Sequence, residues 1–102
     1  MSTQPIYTQD DEKKPLVSFI ITYYNESVDM LKECVNSILS LSLNAAERQI
    51  IVVDDGSDVS PIDLLIELSS DIIYVRQPNL GLSRARNRGI GIAEGSFIQF
   101  VD

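Results

Sequence analysis

The chain has 102 residues, enough for one domain, and 44% of them are apolar, so it can build a core. Its net charge of -7 argues against a general nucleic-acid binder. One cysteine and no histidine exclude an intrachain disulfide, a Cys/His zinc site and a His-dependent triad, and no apolar run approaches the roughly 18 residues that signal a membrane span.

Residues 1–14 are polar and read as a tail without the apolar centre of a signal peptide. Leu16 to Thr22 is a nearly unbroken run rich in β-branched and aromatic residues, which suits a strand buried on both faces. Ser27 is the N-cap of a helix over 28–42, with Asp29 in its first turn and Val28, Leu31, Val35, Ile38 and Leu39 at helical spacing. Cys34 falls in that periodic segment and reads as a buried structural residue. Gln49 to Val53 is a second buried strand and ends in the turn signal Asp54-Asp55-Gly56-Ser57.

Ser60-Pro61-Ile62-Asp63 reads as a helix start, with Ser60 as cap and proline first, for a helix over 61–69. Ile72 to Arg76 is a third, shorter strand, and Pro78 to Gly81 is loop. Ser83 caps a helix that runs to residue 94 and is closed by Gly95. Gly89 and Gly91, inside that helix, suggest close contact with a sheet. Phe97 to Val101 is a fourth strand. The fold class is therefore α/β: a Rossmann-like parallel sheet with helices on both faces, right-handed crossovers and spatial order 3-2-1-4.

In such sheets ligands bind beyond the carboxyl ends of the strands. The polar residues of this chain gather there. The first strand runs into Thr22-Tyr23-Tyr24-Asn25-Glu26, the second into Asp54-Asp55-Gly56-Ser57 and the fourth into Asp102. Glu26, Asp54, Asp55 and Asp102 would share one rim, where a divalent cation such as Mg2+ or Mn2+ would relieve their repulsion. Alternatively these are solvated acids in strand-end turns.

Four of the eight Lys and Arg (Arg76, Arg84, Arg86, Arg88) lie within one short stretch, either as a solvated helix face or as a site for one anionic ligand. Arginine forks match phosphate oxygens, Tyr24 can stack on a base, and a strand-end carboxylate can accept from a base N–H. The set suits a nucleoside diphosphate. Neither a Walker loop nor a dinucleotide glycine fingerprint follows the first strand.

Together, Val17 to Asn25, Ile50 to Ser57 (IIVVDDGS), Asn79 to Gly89 (NLGLSRARNRG) and Gly95 to Asp102 resemble the opening signatures of the family 2 glycosyltransferases of the GT-A fold. The resemblance covers residues 16–102, about 85% of the chain. It implies that Thr22, Tyr24, Asn25 and Glu26 line a nucleotide pocket. It gives Asp55, with Asp54 beside it, the reading of the base, and Gly56 and Ser57 the shaping of that turn. It places Asn79, Gly81, Ser83 and Arg86 near the ribose and diphosphate. Asp102 would be the first aspartate of a D-x-D motif that touches the ribose or the metal shell. One departure is that the family often has proline where this chain has Thr22 or Tyr23.

The implied parent enzyme transfers a sugar, with inversion and with Mg2+ or Mn2+, from a UDP-sugar to an acceptor glycan or glycolipid. Its setting would be bacterial surface polysaccharide synthesis, in the cytoplasm or at the inner face of the membrane. The second D-x-D aspartate and the general base would lie in later residues, so the 102-residue chain is expected not to transfer sugar by itself. It would act as a nucleotide-binding half-domain over 15–102. The alternative is a nucleotide-binding module without chemistry. If the fourth strand forms a sheet edge, its apolar residues favour homo-oligomers through that edge.

Overall fold

The structure, a computed structural model, describes residues 14–101. The tail proposed for residues 1–14 therefore lies outside the described residues except for Lys14, and Asp102 lies outside them too.

Seven elements alternate along the chain: β1 (Val17–Tyr23), α1 (Val28–Leu39), β2 (Arg48–Asp54), α2 (Ile62–Leu68), β3 (Ile73–Arg76), α3 (Leu82–Ile92) and β4 (Phe97–Val101). All three strand pairings are parallel, and the order is β3-β2-β1-β4, as the strand–helix alternation predicts. In β1 and β2, Ile20, Ile50, Ile51, Val52 and Val53 are almost wholly buried. That is why both strands read as continuous apolar runs rather than alternating ones.

Strand alternation divides this apolar content into two cores. Phe19, Ile21, Tyr23, Ile50 and Val52 meet Leu31, Val35 and Ile38 of α1 and Leu65 of α2 on one face. Ile20, Ile51 and Val53 meet Ala85 and Ile92 of α3 on the other. Half-buried Cys34 packs against the first core. The outer strands are more open. At the β4 edge Phe97, Ile98 and Phe100 remain exposed, and among the described residues this strand pairs only with β1.

The helix ends correct the sequence reading. Ser27 does cap α1, its Oγ accepting from the Asp29 N–H. The helix stops at Leu39 rather than 42, where Ser37 and Ser40 hydroxyls bond back to the Cys34 and Ser37 carbonyls. Such local bonds compete with continuing the helix. Pro61, not Ser60, is the N-cap of α2, while the Ser60 Oγ accepts from the Ile62 N–H at 3.3 Å.

Gly81, not Ser83, is the N-cap of α3, with φ 101° and ψ 163°, a conformation nearly reserved for glycine. Gly95 does not close this helix, which ends at Ile92. It sits where a Cβ would come within 2.6 Å of the Ser18 backbone nitrogen, and its own N–H donates to the Ser18 Oγ. Gly89 does lie against the sheet, but Gly91 is exposed and a Cβ there would meet nothing within 4 Å.

Candidate nucleotide cleft

The carboxyl ends of β1 and β2 and the start of α3 enclose an open cleft of about 430 Å³. It is lined by Thr22, Tyr24, Glu26, Asp55, Asn79 and Gly81, with Tyr23, Leu82 and Ala85 completing the walls. Six of the residues singled out from the sequence thus meet in one place. The other six described ones do not line it.

Asp54 and Asp55 take different roles because consecutive residues at a strand end point to opposite faces. Asp54 pairs in register with Tyr23 and turns to the α1–α2 face. There its fully buried carboxylate accepts from the Ser57 N–H (2.9 Å) and the Tyr74 hydroxyl (2.6 Å), with an Arg76 guanidinium nitrogen at 3.6 Å. Since Tyr74 donates to Asp54, the Ser60 hydroxyl donates to Tyr74 and in turn accepts from the start of α2. Asp54 therefore ties α2 and the β2–α2 turn to the sheet. It does not share a rim with Glu26 and Asp55, as the sequence reading had it.

Asp55 turns to the α3 face and latches the β3–α3 loop. Its Oδ1 accepts from the Gln77 Nε2 (2.8 Å) and the Leu80 N–H (2.9 Å), and its Oδ2 from the Gly81 N–H (2.9 Å). Burial acts to raise its pKa, but these three donors outweigh it and hold the carboxyl below the usual aspartate range. Asp71, at the other end of the sheet, is also held low. Burial is again opposed, here by the Ser69 hydroxyl and the Arg48 guanidinium.

The sign of the pH dependence follows. A carboxyl whose folded pKa is depressed adds stability above its unfolded pKa, about 3.9, and that stability is lost as pH falls through the lower folded value. The denaturant midpoint should hold at neutral pH and fall progressively below about pH 5. Asp55→Asn should flatten that acid limb, and an unchanged limb in chemical denaturation would show that Asp55 does not drive it.

Asn25, Gly56 and Ser57 frame the cleft from outside. Asn25 adopts φ 49° and links two loops. Its N–H donates to the Ser57 Oγ, and its Oδ1 accepts from the Asp58 N–H, both at 2.8 Å. Gly56, at φ 85°, lets the β2–α2 turn touch the backbone of Asn79 and Gln77. The Tyr23 hydroxyl donates to the Glu26 carbonyl and so fixes the loop that presents Tyr24 and Glu26. Ser83 is exposed on α3, and the Arg86 guanidinium lies 5.4 Å from the Phe100 ring centroid rather than in the cleft lining.

The sequence reading missed Gln77. It is buried at the end of β3, one residue beyond the register pair Asp54 and Arg76. Extending the strand-end argument to the third strand would have found it.

A metal finds no ready ligand set here. Among the described residues no group of three carboxylate, cysteine or histidine side chains could hold one. Asp54 and Asp55 are committed to hydrogen-bond donors, Glu26 is an exposed single carboxylate, and Asp102 lies outside the described residues. No helix in the described part is long and apolar enough to cross a membrane.

Comparison with known proteins agrees with this architecture. The profile of glycosyl transferase family 2 matches residues 18–102. An uncharacterized glycosyltransferase, EpsJ, of Bacillus subtilis (strain 168) is 40% identical over 95 residues, which span 86% of this chain and 26% of that protein. Among solved structures, residues 1–349 of TarS from S. aureus superpose with a TM-score of 0.74 at 25% identity, over 85% of this chain and 27% of that one. A mannosyltransferase from Pyrobaculum calidifontis, in complex with GDP-Man and Mn2+, gives a TM-score of 0.68 at 23% identity, over 83% and 26%. The chain spans about a quarter or less of the length of the curated relatives it matches. With the profile covering most of its length and the parallel sheet and flanking helices of the GT-A glycosyltransferases in place, the chain belongs to glycosyltransferase family 2.

Proposed function

We propose that the cleft holds the nucleotide of a nucleotide-diphosphate sugar, UDP-sugar in particular, for a transferase that spans more than these residues. The observation that carries this reading is the cleft itself. At the carboxyl ends of a parallel sheet, an exposed tyrosine, a buried carboxylate and the start of a helix converge on one space. Tyr24 offers a face for a base, Asp55 an acceptor for a base N–H, and Asn79 and Gly81 the polar wall for ribose or phosphate. Asn25, Gly56 and Ser57 act by holding these in place, and Ser83 and Arg86 are reached, on this reading, only by the ligand's diphosphate end.

The reaction proposed for the longer protein is direct displacement. An acceptor hydroxyl of a glycan or glycolipid attacks the anomeric carbon and gives its proton to a general base, while the bond from that carbon to the diphosphate oxygen breaks, so the configuration inverts. Hexosyl transfer in the synthesis of bacterial surface polysaccharide, at the cytoplasmic side of the membrane, is the setting we propose. Mg2+ or Mn2+ would screen the departing diphosphate. Its proposed ligand from this chain is Asp102, and no step is assigned to it through the described residues.

Titration of the isotope-labelled chain with UDP tests the reading. Binding should be weak, with a Kd of about 1 mM, or about 4 kcal/mol. Amide shifts should cluster at Thr22–Glu26, Asp55 and 79–82. Asp55→Ala should weaken binding by about tenfold or more, while Asp58→Ala should leave it within about twofold, since Asp58 is exposed and enters only through its backbone N–H. Shifts confined to the outer faces of α1 and α2, or equal losses in the two variants, would defeat the assignment.

A further inference from the structure

The latch on Asp55 limits what that carboxylate can recognise. An ionised carboxylate has about four lone-pair directions on its two oxygens. Oδ1 receives two donors, from Gln77 and Leu80, and Oδ2 receives one, from Gly81. The direction left for a ligand is on Oδ2.

Gln77 is firmly placed to keep it so. Its side chain is buried, and its own N–H donates to the Asp54 carbonyl at 2.9 Å. Its carbonyl lies 3.2 Å from where a Cβ of Gly56 would stand. The hydrogen bond to the Asp54 carbonyl fixes the Gln77 backbone beside the β2–α2 turn, and a carboxylate neighbour requires the donor end of the amide to face it.

We propose that Gln77 is a positioning residue that sets base preference: it occupies Oδ1 of Asp55, so the cleft takes a base with a single ring N–H, as in uracil, over guanine. Guanine presents a ring N–H and an exocyclic amine side by side, and a carboxylate meets that pair best with both oxygens. Here the second oxygen is already filled. The proposal rests on the reading of the cleft as a nucleotide site.

The test is calorimetric and NMR titration of the chain with UDP and with GDP, in the presence of a chelator so that the diphosphate contributes alike to both. The wild-type chain should bind UDP more tightly than GDP. Gln77→Met keeps the side chain's length and apolar stem but frees one of the two acceptor positions on Oδ1, the Leu80 N–H keeping the other. In that variant the UDP-to-GDP preference should narrow by roughly 10-fold or more, the worth of one hydrogen bond to a charged group, mostly through improved GDP binding. A general loss of structure would weaken both nucleotides alike and leave the ratio unmoved.

Binding of both nucleotides by the wild type without preference, or a ratio unchanged in a natively folded Gln77→Met, overturns this proposal and leaves the nucleotide site standing. Binding of neither nucleotide overturns both. If the variant does not fold, the wild-type ratio decides: GDP bound as tightly as UDP sinks the proposal, and a clear preference for UDP upholds it.

Discussion

Gly56→Ala should cost about 3–4 kcal/mol of folding stability and abolish nucleotide binding in the cleft. Two effects add. The residue sits at φ 85°, where an L side chain costs about 1–2 kcal/mol. The new Cβ would also stand 2.7 Å from the Asn79 nitrogen, 3.3 Å from its Cα and 3.2 Å from the Gln77 oxygen. All three are backbone atoms, so no side-chain rotation relieves the contact, and the segment from Gln77 to Gly81 must move. That segment carries all three donors to Asp55 and the Asn79 wall of the cleft.

For a domain of this size about 1 kcal/mol corresponds to 4–8 °C in Tm, so the melting midpoint should fall by about 12 °C or more. Gly56→Asn separates the two causes. Asparagine tolerates positive φ but carries the same Cβ, so it should be nearly as damaging as alanine. An asparagine variant with near-parental Tm would mean that strain alone, and not the collision with the loop, is what glycine avoids. An alanine variant that melts close to the parent and still binds UDP would sink the whole account.

The sheet was legible in the sequence because β1 and β2 are buried on both faces, which leaves runs such as Phe19 to Ile21 and Ile50 to Val53 with no polar interruption. Observed strand bounds differ from the sequence reading by one residue at most. The parallel pairing of the strands followed from the strand–helix alternation and the usual hand of the crossovers. Helix ends were less legible, since Ser60 and Ser83 have the right chemistry for caps but stand one residue before and two residues after the caps the fold uses.

At the site, the list of polar strand-end residues contained the cleft but did not resolve it. Asp54 and Asp55 look equivalent in a string of letters. Only the phase of β2, fixed by which of Ile50 and Ile51 meets α1 and which meets α3, says that one carboxylate braces Tyr74 and the other faces the cleft. Gln77 was overlooked because a neutral residue at the end of a short strand carries no charge pattern to draw attention to it.

The same phase argument governs α3, and it gives opposite signs to two substitutions of identical chemistry. Residues two apart on a helix lie about 200° apart around its axis, so Gly89 and Gly91 cannot both face the sheet. At Gly91 a Cβ meets nothing within 4 Å, and Gly91→Ala should stabilise by about 0.5–1 kcal/mol through helix propensity alone. At Gly89 a Cβ would come within 2.6 Å of the Ile20 Cγ2, with Cδ1 and Cγ1 of the same side chain at 3.2 and 3.3 Å. Ile20 is 1% exposed and packs with Ile51, Val53 and Ala85. Its Cγ2 is attached directly to Cβ, so only rotation about χ1 moves it, and that rotation brings another branch toward the same space. The helix must instead lift from the sheet, which loosens Ala85 and Ile92. Overpacking of this kind costs about 1–3 kcal/mol, more than the propensity gained. Gly89→Ala should therefore lower Tm while Gly91→Ala raises it, a separation of about 1–3 kcal/mol between neighbours on one helix, since the propensity gain is common to both. In an Ile20→Ala background the obstructing methyl is gone, and Gly89→Ala should turn neutral or stabilising, a coupling energy of at least about 1 kcal/mol in a double-mutant cycle by thermal denaturation. If Gly89→Ala stabilises the parent chain as much as Gly91→Ala does, α3 does not sit on Ile20 as the structure has it.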